Sequence, residues 1–269
     1  MKIWSPSDGS DEWLSRSDCS LAVALLRGIY GEDRPTLEAC ETVLEVGVWK
    51  GAWTSVILVN FPQVRVDGVD PYPGSASVRT EMEARLTNLG ISDRFRLAVS
   101  LKELPPEVRY SMIHIDGEHS EQAVTEDLAF ASEHLVSDGV IIADDYRHSW
   151  FPGITSALFR FLNAGEFKLF AVSGNKAYLA RTPYADKYYC LLQDSFAGSI
   201  SLPVWTHWRQ WDGDKVGYVQ SPDVYGQRVL LCGMSAPLAA SRQRRLAKDW
   251  LPPVIVRTLL KAGRRMRRD

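Results

Sequence analysis

The sequence has no run of about 18 uninterrupted apolar residues, so no transmembrane helix is expected. Cysteine is scarce. Cys19, Cys40, Cys190 and Cys232 are widely separated and form no CxxC pair, which excludes a zinc ribbon or a disulfide framework. The start, MKIWSPSDGSDEW, lacks an apolar run behind a basic stretch, so no signal peptide is expected either. Internal repeats and low-complexity tracts are also missing. These absences together predict a reduced, cytoplasmic, globular protein.

What is present fits that class. Of 269 residues, 45% are hydrophobic and 24% charged, ordinary values for a soluble domain with a full core. The net charge of -2 hides an asymmetry. Residues 236–269 carry ten Lys/Arg and two Asp, while the rest carries 21 basic and 31 acidic side chains. An acidic body repels phosphates, so no nucleic-acid partner is expected.

The pattern along the chain alternates strands with helices. Strands are expected at 42–47, 64–70, 94–99, 110–116 and 139–145, the last opening at Gly139. Helices are expected at 18–29, 51–60, 77–89, 120–135 and 153–163, the first capped by Ser17 or Asp18. Segments 167–172 and 176–181 flank Gly174–Asn175, a hairpin signal. The predicted fold is α/β: a Rossmann-like, doubly wound, mostly parallel seven-stranded sheet with an antiparallel terminal hairpin at its edge, plus a C-terminal extension. The expected division is a core over 1–182 and an extension over 183–269. In the extension, 183–235 shows no clear alternation, and 238–249 and 251–268 read as helices.

Two groups of residues carry chemistry. The first strand ends in Glu45-Val-Gly47-Val-Trp-Lys-Gly51, with Asp70 at the end of the next. Ligands of such sheets sit beyond the carboxyl ends of the strands. A dinucleotide fingerprint needs a second glycine where this chain has Trp49. That speaks against a nicotinamide-dependent oxidoreductase. Glu45 would also repel a pyrophosphate. The motif suits a cofactor with a cationic end, a ribose and no phosphate, and S-adenosylmethionine meets that description. The glycines would let the backbone approach the ligand, and Asp70 would accept from ribose hydroxyls.

The second group is acidic. Asp116 ends the fourth strand, and Asp144–Asp145 end the next. If those strands are neighbours, three carboxylates converge, which favours a compensating hard cation such as Mg²⁺. Such a cation would lower the pKa of an acceptor hydroxyl. Glu118 or His119 would take its proton, with His148 a third candidate base.

The runs EVGVWKG, IHIDGEHS and GVIIADDY followed by Pro152–Gly153 resemble the class I S-adenosylmethionine-dependent methyltransferases. Within them, the chain is similar to the metal-dependent macrocin O-methyltransferase-like group, which methylates sugar hydroxyls. The resemblance covers roughly residues 18–182. It implies Mg²⁺ held by Asp116, Asp144 and Asp145, with Asp116 also beside the cofactor. It implies a base two residues after the first ligand, here Glu118 where the family commonly has Asp. The family often has Gly-Asp-Ser after the third strand, near the adenine; this chain has Ala98-Val99-Ser100, so only Ser100 carries over. The implied activity is methyl transfer to a hydroxyl of a saccharide or glycosylated acceptor. A catechol or phenol acceptor is the second reading, and a non-catalytic membrane-associated protein of this fold the third.

The extension adds two further expectations. Trp205, Trp208 and Trp211 recur every three residues and suit burial, an oligomer interface in a homo-oligomer, or a sugar platform. Residues 251–268 set an apolar face against Arg257, Lys261, Arg264, Arg265 and Arg268, which suits peripheral contact with an anionic inner membrane surface.

Overall fold

The computed structural model describes residues 16–30, 41–72, 76–173, 175–196, 200–202, 206–211, 214–224 and 227–234. The chain divides into a unit Met1–Gly233 and a unit Met234–Asp269. The first is described below. The helices expected at 238–249 and 251–268, and Trp205, lie outside the described residues.

The alternation read from sequence is realised. In chain order come α1 (Arg16–Ile29), β1 (Thr42–Val46), α2 (Ala52–Asn60), β2 (Arg65–Val69), α3 (Ala76–Asn88), β3 (Phe95–Ala98), β4 (Tyr110–Ile115), α4 (Glu121–His134), β5 (Leu135–Ala143), α5 (Pro152–Asn163), β6 (Phe167–Val172) and β7 (Ala177–Arg181). Then follow α6 (Thr182–Phe196), β8 (Ile200–Leu202), β9 (Thr206–Trp211), β10 (Asp214–Val224) and β11 (Gln227–Met234).

The strands form one sheet in the order β3-β2-β1-β4-β5-β7-β6-β11-β10-β9-β8. β1 pairs in parallel with both β2 and β4. The order therefore reverses at β1, the position where open α/β sheets bind ligands. Alternation along the strands fills two cores, one on each face. Val43, Met112 and Ile142 pack with α1, α2, α3 and α6 on one face. Leu44, Ile113 and Ile141 pack with α4 and α5 on the other.

Four expectations are corrected. α1 begins at Arg16, so Ser17 and Asp18 sit inside its first turn rather than capping it. β5 begins at Leu135, not Gly139: the Ser137-Asp138-Gly139 stretch is taken up as an irregularity between the pairs Tyr110–Leu135 and Met112–Val140. The hairpin is not an edge. β7 pairs antiparallel with β5, and β6 pairs in parallel with β11, so the sheet has eleven strands and continues beyond the expected seven. Where no alternation was expected, the described residues of 183–235 form α6 and β8–β11. Their α6 buries Ala185, Tyr188, Tyr189 and Leu192, an i, i+3, i+4, i+7 stripe present in the sequence but hidden among polar neighbours. Trp208 and Trp211 lie in β9.

Candidate functional site

The parallel register lines up the functional positions. Asp70, Gly47, Asp116 and Asp144 are each the first residue beyond β2, β1, β4 and β5. Each donates its backbone N–H to a neighbouring strand end: Asp70 to Ala98, Gly47 to Val69, Asp116 to Val46 and Asp144 to Ile115, at 2.8–3.0 Å. The row thus crosses the sheet along one edge.

On the β1–β2 side the loops after the two strands are held by the Asp70 side chain. Asp70 Oδ2 accepts from the amides of Val48 (3.1 Å) and Trp49 (2.9 Å), and Oδ1 from Tyr72 (2.8 Å). Asp70 therefore shapes the loop, with one carboxylate lone pair left for a ribose hydroxyl. Trp49 and Tyr72 both adopt left-handed backbone (φ 48° and 45°), strain of the kind tolerated where a site over-determines the chain. Gly47 has φ 84°. A Cβ there would lie 1.9 Å from the Asp116 carbonyl oxygen, so the close approach that needs glycine is to the β4 loop itself. Gly51, also left-handed, opens α2. Ser100 follows β3 at the same sheet edge.

Glu45 is fully buried and accepts from Thr54 Oγ1. Burial pushes its carboxyl up to about 8, against the Thr54 hydrogen bond. It is neutral near pH 7 until a cation faces it. Its other oxygen lies 3.7 Å from His114 Nδ1. The His114 ring stacks on Trp53, with centroids 4.5 Å apart.

The β4–β5–β7 side is organised by side chains. Lys176, at 3% exposure, donates to Asp144 Oδ2 and sits 2.9 Å from His114 Nε2. An ammonium can only donate, so His114 Nε2 accepts and its proton sits on Nδ1. Burial, then Lys176, drives His114 well below its usual value. Burial also works against the Lys176 charge, but Asp144, Asp116 and Asp18 outweigh it and hold the ammonium protonated. Asp144 Oδ1 accepts from the Asp145 amide (2.8 Å), so both Asp144 oxygens are engaged.

Asp145 has left-handed backbone (φ 54°), and its Oδ1 accepts from Asn175. Its Oδ2 faces His119 Nε2 at 3.6 Å, and Asp116 Oδ1 faces the same nitrogen at 3.9 Å. That nitrogen is shielded from solvent and has no hydrogen-bond partner. Asp116 above all raises the His119 pKa, with Asp145 and Asp144 adding to it. Burial, then Asp144, raises Asp145.

Among the described residues, two groups of side chains bring ligand atoms within 4.8 Å of one another: His114, Asp116 and Asp144, and Asp116, His119 and Asp145. The carboxylate oxygens that converge here, from Asp116 and Asp145, are hard donors of the kind a divalent cation takes. Glu118 is exposed and belongs to neither group. His148 stacks on Phe151 (4.8 Å), which also contacts His119 (4.2 Å), and Trp150 beside it is 81% exposed.

The structure thus gathers Glu45, Gly47, Asp70, Asp116, Asp144, Asp145 and His119 along one edge. Lys176, Asn175 and Thr54 were not singled out by sequence. The signal for Lys176 was a lone cation opening the apolar run Ala177–Ala180, directly after a turn.

Comparison with known proteins bears on the fold. Residues 44–146, from β1 through the loop after β5, match the model of a methyltransferase domain. No curated protein sequence matches the chain. A candidate caffeoyl-CoA O-methyltransferase from Staphylococcus aureus is similar in structure, with TM-score 0.52, 12% identity, and coverage of 62% of this chain and 84% of that one. The O-methyltransferase NovP aligns with TM-score 0.50 and 17% identity, over 62% and 80% of the two chains. The SAH-bound methyltransferase PaMTH1 of Podospora anserina aligns with TM-score 0.50 and 14% identity, over 65% and 82%. The fold is the α/β methyltransferase fold.

Proposed function

We propose that the chain is an S-adenosylmethionine-dependent O-methyltransferase that uses a divalent cation and acts on a hydroxyl of a saccharide or glycosylated acceptor. One observation carries the reading. Gly47 of the cofactor loop is pressed against the Asp116 carbonyl, so the loop that would hold the methionine end and the acidic cluster that would hold the acceptor form one piece. The match to a methyltransferase domain spans both halves.

Glu45 would face the ammonium of the cofactor and ionise on binding it. Asp70 keeps the loop in shape and offers its last lone pair to the ribose. Asp116 and Asp145 would hold the cation; when bound, it lowers the pKa of the acceptor hydroxyl and orients it. His119 Nε2, free of hydrogen bonds, takes the hydroxyl proton. Methyl transfer would form the oxygen–carbon bond as the carbon–sulfur bond breaks, leaving a thioether. Alignment of these three atoms supplies much of the rate.

Transfer of labelled methyl from S-adenosylmethionine to a panel of saccharides and catechols, with and without Mg²⁺ or Mn²⁺, tests the reading. Cation-dependent label on saccharides is expected. Label on catechols alone would replace the acceptor class. No label on any acceptor, in a protein that fails to bind the cofactor, would overturn the reading.

No described helix is long and apolar enough to cross a membrane. Peripheral contact through 251–268, a homo-oligomer, and an extension that sets acceptor choice or location belong to this proposal. Lipid-vesicle sedimentation of the full chain against a 1–250 truncation tests the first of these.

A further inference from the structure

We propose that Lys176 is a built-in counter-cation that keeps Asp144 out of the divalent-cation set and so weakens the cation site on Asp116 and Asp145. The inference rests on the reading that a cation binds this cluster, and not on methyl transfer.

Three observations lead there. Each Asp144 oxygen already accepts a hydrogen bond, one from the Asp145 amide and one, charge-assisted, from the Lys176 ammonium. Lys176 is almost wholly buried and has a second anchor in His114 Nε2, so it cannot swing into solvent to release the carboxylate. The turn that carries it is tied down: Ser173 N–H donates to Lys176 C=O (2.8 Å), Tyr146 N–H to Asn175 C=O (3.1 Å), and Arg147 to Ser173 C=O (2.8 Å). The ammonium is therefore fixed on the one carboxylate that would otherwise complete a three-aspartate set.

An ammonium and a divalent cation on neighbouring carboxylates repel, strongly so away from bulk water. Removing one partner of a buried pair leaves the other charge uncompensated. Without Lys176, Asp144 becomes an unpaired carboxylate at the edge of the cation site, and a cation is its natural partner. The outcome is a gain of affinity, which a merely structural role for Lys176 would not produce.

The test uses the full chain and Mn²⁺ alone, with free Mn²⁺ read by electron paramagnetic resonance. Lys176→Met is expected to bind Mn²⁺ at least tenfold more tightly than wild type. Unchanged or weaker binding overturns the proposal, as does the absence of Mn²⁺ binding in both proteins. If Lys176→Met fails to melt cooperatively, the neutral double variant Lys176→Met/Asp144→Asn decides. It removes the pair together and is expected to stay within threefold of wild type. A tenfold loss would make Asp144 a ligand in the wild type and overturn the proposal. Calorimetric binding of S-adenosylmethionine to the same proteins separates the two readings. Failure there, with the Mn²⁺ gain intact, strikes the methyltransferase assignment and leaves Lys176 in its role.

Discussion

Asp70 and Asp144 hold equivalent places, each the first residue past a parallel strand, yet they are satisfied by different means. Asp70 takes three backbone amides, two from the loop after β1 and one from its own. Asp144 takes one amide and a lysine delivered from a hairpin 32 residues away. Backbone donors fix shape without adding a mobile charge, which suits a loop that must fit one cofactor. Side-chain charges can be rebalanced by ligands, as the proposed cation binding and proton uptake at this cluster would require. The β1–β2 half is preformed, and the β4–β5–β7 half is charge-tuned.

The comparison is broken most severely where the halves meet. Gly47→Ala forces a Cβ to 1.9 Å from the Asp116 carbonyl at a positive φ. A loss of at least ~3 kcal/mol is expected in urea unfolding, with cofactor and Mn²⁺ binding lost together. Gly90→Ala, also at positive φ but in open space, is expected to cost only about 1 kcal/mol. Equal losses would mean the halves are not locked at Gly47.

His119→Ala confines the damage to the charge-tuned half. A fall in kcat of roughly 10²–10⁴ is expected, with cofactor affinity unchanged. In the wild type, the rate should fall as pH drops through a value above the usual imidazole range, because the carboxylates raise His119. Glu118→Gln should retain most activity; a loss as large as that of His119→Ala would move the base to Glu118.

Glu45→Gln confines it to the preformed half. About a hundredfold loss of S-adenosylmethionine affinity is expected by calorimetry, the charge-assisted contact being removed. The stability of the cofactor-free protein supplies an independent readout. The Glu45 carboxyl rises from 4.5 to about 8 on burial, so the folded state binds the extra proton. Stability is greatest below the unfolded value and declines as pH rises towards 8, by up to about 1.4 kcal/mol per pH unit. Glu45→Gln should flatten that part of the melting-temperature profile; an unchanged slope would mean Glu45 is already ionised. Smallest is Asp70→Asn, which turns a donor towards backbone donors. About a tenfold loss of cofactor affinity is expected, with Mn²⁺ binding intact.

The strands that build the row were legible because each is a short apolar run closed by a residue that breaks it: Gly47, Asp70, Asp116, Asp144. Helices with a cap or a breaker were legible too, such as α3 before Gly90. What escaped detection depends on pairing between distant segments. Lys176 lies at the start of a strand, and a parallel β7 would have put it at the opposite sheet edge. Only the antiparallel insertion of β7 beside β5 brings it to Asp144. The hold of Asp70 on the amides of Val48, Trp49 and Tyr72 was hidden because it joins two loops whose left-handed residues, Trp49 and Tyr72, give no compositional signal. The apolar stripe of α6 was split by Asp186, Lys187 and Cys190.

The row along the sheet edge also acts as a ruler. Neighbouring strands lie about 4.8 Å apart, so the three steps from Asp70 to Asp144 cover roughly 14 Å, a length fixed by the hydrogen-bond ladder rather than by any side chain. The ruler has a parity as well as a scale. One residue inserted into β4 would leave its length untouched but send the residue at the Asp116 position to the other face. Spacing tolerates drift in loops and helices; inside the central strands, a single inserted residue would erase the proposed chemistry while every residue assigned to it is still present.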